Sequence, residues 1–485
     1  MHKARYIVGI DLGTTNLKGV LCDVEGGVLA QASFGYPMHR PQSDYAEQNA
    51  LDWIDAFWRV IDQLIEGRSY TDIEAIGICS QVNTHVFVDE AGRPLRPAIV
   101  WQDSRVAPWA TAIDEHIDPR DRVGWWSSNM SVGPSHTLPR IAWMQEVQPE
   151  IWARTARVVS PKDFLLYHLT GCWTTDPLSC FDLVDDHGNY ISALIERVPG
   201  AMGRLPPLSP YSAVVGRASH PRLHGAAPQV INGTMDAFGC LFGSGARGAG
   251  DGAYISGTSE IIALIADKPG QAPGIVSFIP VDGWHVQAGP TQSGGDTLRW
   301  LSTLFGQSYE TILQMAANVD RSAADAIFLP HLQGERAPFW DSQARGTFVG
   351  LDAADGGGEM VLAALEGVAF SARLIFERAE DAAGRIYDHL FIGGSGNRSD
   401  FWAQVRADVF GLPLKRVKCL DTGCIGAAMM AGVGTGTFAS IEQASQAFVE
   451  IERIFYPNPE LKAHYDKKIR RFVRAYEALK PIYSS

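Results

Sequence analysis

The sequence predicts an α/β protein made of two similar halves, and three observations carry that expectation. The chain has 485 residues, enough for two domains of ordinary size. An apolar run, Tyr6-Ile7-Val8-Gly9-Ile10, ends on Asp11, and Leu12-Gly13-Thr14-Thr15 follow. A later run, Ala253-Tyr254-Ile255-Ser256, ends on Gly257-Thr258-Ser259, which repeats the same order of strand, glycine and hydroxyls. Each half then alternates short apolar strands with stretches of helical period. Gly243 to Gly252 is glycine-rich and divides them, giving domains of residues 1–245 and 246–485.

Composition bounds the function. Hydrophobic residues make up 46% and charged residues 20%, as in a globular protein. The formal net charge of -13 argues against a broad nucleic-acid footprint but leaves room for a small phosphate site. The first residues lead straight into a strand, and no apolar run reaches about 18 residues, so neither a signal segment nor a membrane span is expected. The seven cysteines are scattered without a CxxC pair, which fits reduced thiols in a cytoplasmic enzyme. No HExxH or GxxxxGK[ST] motif occurs. The sequence does not set the oligomeric state; a homodimer is compatible with it.

The first run reads as a strand because its residues pack well on a sheet. Gly13 allows a tight turn that brings backbone N–H groups near a ligand. Thr14 and Thr15 add hydroxyls, and Asp11 stands where it can hold a hydrated Mg²⁺. Leu17 to Cys22, the Gly26-Gly27 turn and Val28 to Phe34 complete an antiparallel meander, unlike a dinucleotide fold, whose first glycine loop opens a helix. Leu51, Ile54, Trp58, Ile61 and Ile65 then follow a 3.6-residue period that ends at Gly67.

Ile73 to Cys79 is a buried strand that delivers Ser80-Gln81-Val82-Asn83-Thr84-His85. Gln81 and Asn83 offer the paired donors and acceptors that suit sugar hydroxyls. His85 either joins them or is a satisfied strand histidine. Pro97 to Trp101 runs into Gln102-Asp103-Ser104-Arg105, where Asp103 either accepts from two hydroxyls or forms a structural pair with Arg105. Residues 110–150 are helical; Trp125, Trp126 and Trp143 there fit a core better than a stacking platform. Ser160-Pro161-Lys162-Asp163 is a helix start with a reciprocal cap. Val230-Ile231-Asn232-Gly233-Thr234-Met235 leads a strand and turn to Asp236 at the head of a helix. Asp236 is either a general base that orients an attacking alcohol or a helix cap.

In the second half, Ile261 to Ile265 resumes a strand and Gly294-Gly295-Asp296 opens a helix. Phe328 to Leu332 precedes the charged loop Gly334-Glu335-Arg336-Ala337-Pro338, in which Glu335 and Arg336 are expected to pair. Met360 to Ala383 is one long helix. His389 to Ile392 ends in Gly393-Gly394-Ser395-Gly396-Asn397, a third glycine turn that leaves a flat slot suited to adenine or ribose. Asp421 to Ala428 starts a helix of small residues, expected to close the nucleotide site, and the stretch from Pro459 onward is helical.

Taken together, these segments resemble the FGGY carbohydrate kinase family, and within it the xylulokinase-like branch. Asp11-Leu12-Gly13-Thr14-Thr15 matches its first phosphate turn, Trp101-Gln102-Asp103-Ser104-Arg105 its sugar segment, and Ser256-Gly257-Thr258-Ser259 its second phosphate turn. Gly334-Glu335-Arg336-Ala337-Pro338 and Gly393-Gly394-Ser395 with Asn397 match two further motifs. The resemblance implies two ribonuclease H-like domains of the actin, hexokinase and Hsp70 superfamily flanking a deep catalytic cleft. It implies ATP and Mg²⁺ as cofactors, Asp236 as the base, and Asp11 at the metal. Gln81, Asn83, His85, Trp101, Asp103 and Arg105 would bind the sugar. Gly13, Thr14, Thr15, Gly257, Thr258, Ser259, Gly294, Gly295, Gly393, Gly394, Ser395 and Asn397 would bind the nucleotide.

One departure bears on the substrate. Xylulokinases carry Gly-Gln-Met-His-Gly where this chain has Ser80-Gln81-Val82-Asn83-Thr84, so Asn83 stands at the histidine position. Kinase chemistry survives this change, while selectivity among sugars is open to it. The expected partner is a small sugar or polyol, D-xylulose first, giving D-xylulose 5-phosphate. L-xylulose, ribulose, erythritol and glycerol are the alternatives, and a non-catalytic sensor is another class.

Overall fold

The computed structural model describes residues 5–127 and 130–483, so residues 128–129 of the helical stretch after Ala110 lie outside it. The chain forms two compact units. One comprises Met1–Arg247, Phe278–Pro280 and Asp421–Val449; the other comprises Gly248–Ser277, Val281–Leu420 and Glu450–Ser485. Asp421–Val449 thus belongs with the first unit, although the sequence reading places it in the second domain.

The first unit is built on one mixed sheet. Its strands run in the order Val28–Gly35, Asn16–Asp23, Tyr6–Leu12, Ile73–Ser80, Gln229–Ile231 and Val214–Arg217, and Thr234–Met235 adds onto Ile73–Ser80. The first three form the expected antiparallel meander, with Asp11 opposite Lys18. Tyr6–Leu12, Ile73–Ser80 and Thr234–Met235 are parallel to one another. The second unit repeats this order and sense: His285–Pro290, Glu260–Ala266 and Gly252–Ser256 are antiparallel, Leu390–Gly393 and Leu414–Val417 continue in parallel, and Ile451–Phe455 closes antiparallel.

Two helices cover the first sheet for different reasons. Ala50–Leu64 is capped by Asn49, whose side chain accepts from the Leu51 N–H, and it buries Trp53, Phe57, Ile61 and Leu64 against Val8, Ile10 and Leu21. Burying each such side chain contributes roughly 1.5–3 kcal/mol. Thr422–Gly434 packs on Tyr6–Leu12 and Ile73–Ser80 at backbone distance. A Cβ at Gly9 or Gly77 would overlap the Cys424 or Ala427 carbonyl oxygen. The small residues that the sequence reading takes as a lid on the nucleotide therefore serve this close seating of helix on sheet. In the second unit, Gly357–Ala383 buries one face against the core around Phe328, Tyr254 and Ile392. None of the helices among the described residues is long and apolar enough to cross a membrane.

Candidate active site

Asp11 and Asp236 reach the same end of the first sheet. Asp11 is in register with Cys79 on one side of Ile73–Ser80, and Thr234 is in register with Cys79 on the other. With strands about 4.8 Å apart, the two acids arrive roughly two strand spacings from each other. The turn that delivers Asp236 requires Gly233, which has φ +70° and lies where a Cβ would overlap the Ile78 carbonyl oxygen. Met235, not Asp236, occupies the cap position, and Asp236 is the first residue of the helix Asp236–Gly243. Its Oδ1 accepts from the Ala237 N–H at 2.8 Å, and the positive end of the helix favours its ionised form.

A buried network fixes that turn from behind. Lys162 Nζ lies 2.6 Å from Asp163 Oδ1 and 3.1 Å from Asp176 Oδ1, and Asp176 Oδ2 accepts the Thr234 hydroxyl at 2.6 Å. Asn232 donates to the carbonyls of Thr175, Ser209 and Pro210. Burial works against the Lys162 charge, but Asp163 and Asp176 outweigh it and raise its pKa. Lys162 and Asp163 follow Ser160 in the helix Pro161–Thr170, whose capping box forms as the sequence predicts.

The turn after Asp11 is tied to its neighbours. Trp101 Nε1 donates to Thr14 Oγ1 at 2.9 Å, Gln48 Nε2 to the Thr14 carbonyl at 2.6 Å, and Tyr36 to the Gly13 carbonyl. Gln81 Nε2 donates to Gln48 Oε1 at 3.0 Å. Gln81 Oε1 and Asp11 Oδ1 are buried acceptors with no hydrogen-bond partner. Such groups are costly unless something donates to them or coordinates them. Burial pushes the Asp11 carboxyl up to about 6, Lys18 pulls it down and Asp421 pushes it up.

Asp11 fits one face of a Mg²⁺ ion: it is a hard oxygen donor whose Oδ1 lacks a partner. Among the described residues no group of three or more His, Cys, Asp or Glu side chains could hold a metal. A Mg²⁺ ion here would keep its waters and share phosphate oxygens, its usual mode.

The expected sugar-contacting residues divide. Gln81, which is buried, and Trp101 are tied to the Asp11 turn through Gln48 and Thr14, while the Asn83 amide donates to Ser135 Oγ at 3.3 Å. Asn83 has φ +55°, and its carbonyl accepts from Arg140 Nη1 at 2.5 Å. His85 does not reach outward. Its Nδ1 lies 2.9 Å from Arg140 Nη1, and its Nε2 lies 2.9 Å from Thr137 Oγ1. Arginine can only donate, so Nδ1 accepts and Nε2 carries the proton. Burial holds the ring well below the ordinary histidine pKa, hence neutral. Asp103 and Arg105 also turn inward. Arg105 donates to both Asp103 oxygens, from Nε at 2.9 and 3.0 Å and from Nη2 at 2.6 Å, and the Ala46 N–H adds 2.7 Å. The Asp103 side chain has no exposed surface. Glu47 accepts from Arg105 and Arg96, which extends the pair into a buried chain of charges. Direct sugar contact by His85, Asp103 and Arg105 is thus corrected to support of the segment that carries Trp101, because their polar atoms are already bonded to protein. Trp126 and Trp143 are core residues, as expected.

The glycine turns of the second unit converge. The Gly295 N–H donates to the Gly257 carbonyl at 2.9 Å, and the Asp296 N–H to the Thr258 carbonyl at 3.2 Å. Gly394, at φ +83°, packs so that a Cβ would overlap the Ser256 carbonyl oxygen. Arg406 ties Glu260 at 2.5 Å, Ser256 Oγ at 2.8 Å and Asn397 Oδ1 at 2.7 Å. Asn397 is buried and donates to the Gly393 carbonyl at 2.6 Å, so it braces the turn, while Thr258 and Ser395 are exposed. Glu335 Oε2 pairs with His331 Nδ1 at 2.9 Å, and the Arg336 guanidinium reaches the Thr291 carbonyl and Ser259 Oγ. The Arg336 N–H also donates to Glu335 Oε1 at 2.9 Å, so the two residues meet through the main chain while the guanidinium reaches these other partners.

Sequence reasoning missed Gln48, Arg140, Lys162, Asp176 and Thr234. The signal for Lys162 was its place inside a strong capping box; the other four acquire their roles only from partners far away in the chain.

Residues 6–236 match the N-terminal domain of the FGGY family of carbohydrate kinases, and residues 252–435 match its C-terminal domain. The chain is 28% identical to a xylulose kinase of Bacillus subtilis, across 99% of this chain and 97% of that protein. It is 27% identical to a gluconokinase of the same species, across 91% and 90%. A crystal structure of gluconate kinase from Lactobacillus acidophilus superposes with a TM-score of 0.89 at 25% identity, covering 99% of both chains. A ligand-bound xylulose kinase from that organism gives the same values. The two mixed sheets of repeated topology are the two-domain fold of these kinases, whose phosphate donor is ATP and whose acceptor is a small carbohydrate. The chain belongs to the FGGY family of carbohydrate kinases.

Proposed function

We propose that this kinase transfers the terminal phosphate of ATP, as its Mg²⁺ complex, to the primary hydroxyl of a small ketose, with D-xylulose first. The observation that carries the reading is the delivery of Asp236 and Asp11 to one end of the first sheet beside the unpartnered Gln81 Oε1. Ionised Asp236 accepts the proton of the attacking alcohol and fixes its direction. Gln81 Oε1 and the Asn83 amide take hydroxyls farther along the sugar. Asp11 would hold the metal, which when bound would supply charge neutralisation for the transferring phosphate. The turns at Gly257, Gly294–Gly295 and Gly393–Ser395 supply the nucleotide contacts. The resemblance to xylulose kinases along nearly the whole chain supports a ketopentose.

A second reading, gluconate, has support of its own in the gluconokinase relatives and the gluconate kinase structure. The test is ADP release with D-xylulose, L-xylulose, D-ribulose, L-ribulose, gluconate, erythritol and glycerol under one set of conditions. D-xylulose is expected to give the highest kcat/KM. If it trails another compound by about tenfold or more, the ketopentose assignment fails while the kinase chemistry stands.

A further inference from the structure

A polar cavity lies on the first unit away from Asp236. It is a surface cavity of about 690 Å³ whose lining includes Arg93, Arg154, Arg157 and Arg204 against the two carboxylates Asp89 and Glu90. That positive excess stands out in a chain of net charge -13. Asp89 is already committed, since it accepts from the Ala91 and Arg93 N–H groups and from Arg93 Nε.

The guanidinium groups of Arg157 and Arg204 are set in place by backbone. Arg204 Nε donates to the Thr155 carbonyl at 2.9 Å and Nη1 to the Gly200 carbonyl at 3.0 Å, with the group stacked 3.9 Å from the Trp152 ring centre. Arg157 Nη1 donates to the carbonyls of Ala156 and Gly203 at 2.7 and 3.2 Å, and its Nε is buried without a partner. Guanidinium groups held in place by backbone in the lining of one cavity suit a ligand that accepts several hydrogen bonds and carries negative charge.

The cavity is separate from the Asp236 region but joined to it. Val86–Val88 pairs with Arg157–Val159, with Val88 opposite Arg157 and Val86 opposite Val159. Asn83 and His85 precede one strand of this ribbon and Ser160 and Lys162 follow the other, while Asp89 and Arg157 stand at its far end. Four residues of strand span about 13 Å.

We infer that this cavity is a second anion site that takes a phosphate dianion, whether free or as the monoester of a small metabolite. Titration calorimetry on the full chain with inorganic phosphate, and separately with ribose 5-phosphate, tests it. Saturable binding to the parent is expected, tighter for the ester if the cavity also reads the carbon skeleton and equal if it reads phosphate alone. Arg154→Gln and Arg157→Gln should each weaken binding by about tenfold, the loss of one charge-assisted contact. Arg154 is exposed, so its variant should keep the parent Tm. Thr14→Val, at the other phosphate turn, should leave this binding unchanged. Equal affinity in the parent and both arginine variants, or no saturable binding to the parent, overturns the inference.

Discussion

Lys18 Nζ lies 2.7 Å from Asp421 Oδ1, and both charges act on the Asp11 carboxyl, in opposite directions. Burial is the larger influence and raises Asp11 to about 6, against an ordinary 3.8. An acid with a raised folded pKa contributes stability that is full below the unfolded value and is lost as pH rises through the folded one. Asp11→Asn removes that dependence. Its Tm relative to the parent should therefore rise as pH climbs from about 4 to about 6, most steeply midway between the two values at about pH 5, and level off above that. Metal-dependent turnover of the parent should fall as pH drops below about 6, because a protonated carboxyl is a poor Mg²⁺ ligand. A flat Tm difference across that range would show that Asp11 is not buried at cost.

Asp236→Asn keeps the shape of the side chain and removes the proton acceptor. It should lower kcat by about a hundredfold or more while nucleotide binding stays close to the parent. Turnover within about threefold of the parent would reduce Asp236 to a helix-start residue with no part in the chemistry.

Lys162→Met leaves Asp163 and Asp176 buried without their cation. The expected loss is about 3–5 kcal/mol in denaturant unfolding, the usual result of breaking one side of a buried pair. Asp176 holds the Thr234 hydroxyl, so the kinetic signature should be a fall in kcat with little change in the affinity for nucleotide. A variant of unchanged stability would contradict the buried network.

Gly426→Ala tests the seating of the helix that Asp236 begins. A Cβ at Gly426 would overlap the Gly239 carbonyl oxygen, in the helix that Asp236 begins. Overpacking of this kind costs typically about 1–3 kcal/mol, and here it should also shift Asp236 and lower kcat. Full activity in this variant would mean that the two helices separate without moving the acid.

These cases show what the sequence can carry. The meander, the glycine turns and the capping box at Ser160 were legible because each depends on residues within a few positions of one another. Asp236 was legible as a helix start, though its place one residue inside the cap needed coordinates. The role of Thr422–Gly434 was not legible. Small residues suit a nucleotide lid and a close-packed helix equally, and only Gly9 and Gly77 on the facing strands decide between them. His85, Asp103 and Arg105 read as sugar ligands because polar residues past a strand often are. What turned them inward is Arg140, Thr137 and Glu47, which no local pattern connects to them.

Asp103 gives the sharpest separation between a ligand contact and a support. If its carboxylate bound sugar hydroxyls directly, Asp103→Asn would raise KM steeply and leave stability nearly unchanged. In the structure both oxygens bond Arg105, one also takes the Ala46 N–H, and the group is fully buried. The variant should therefore be destabilised by about 3–5 kcal/mol, because Arg105 keeps only Glu47 as a charged partner. The KM effect should be secondary, following movement of Trp101 and loss of its bond to Thr14 Oγ1. Trp101→Phe removes that bond without touching the ion pair, so it should reproduce the kinetic effect at a stability loss of only about 1 kcal/mol. Denaturant unfolding and steady-state kinetics on both variants separate the two accounts. A stable Asp103→Asn protein with a large rise in KM would return Asp103 to direct contact with the sugar.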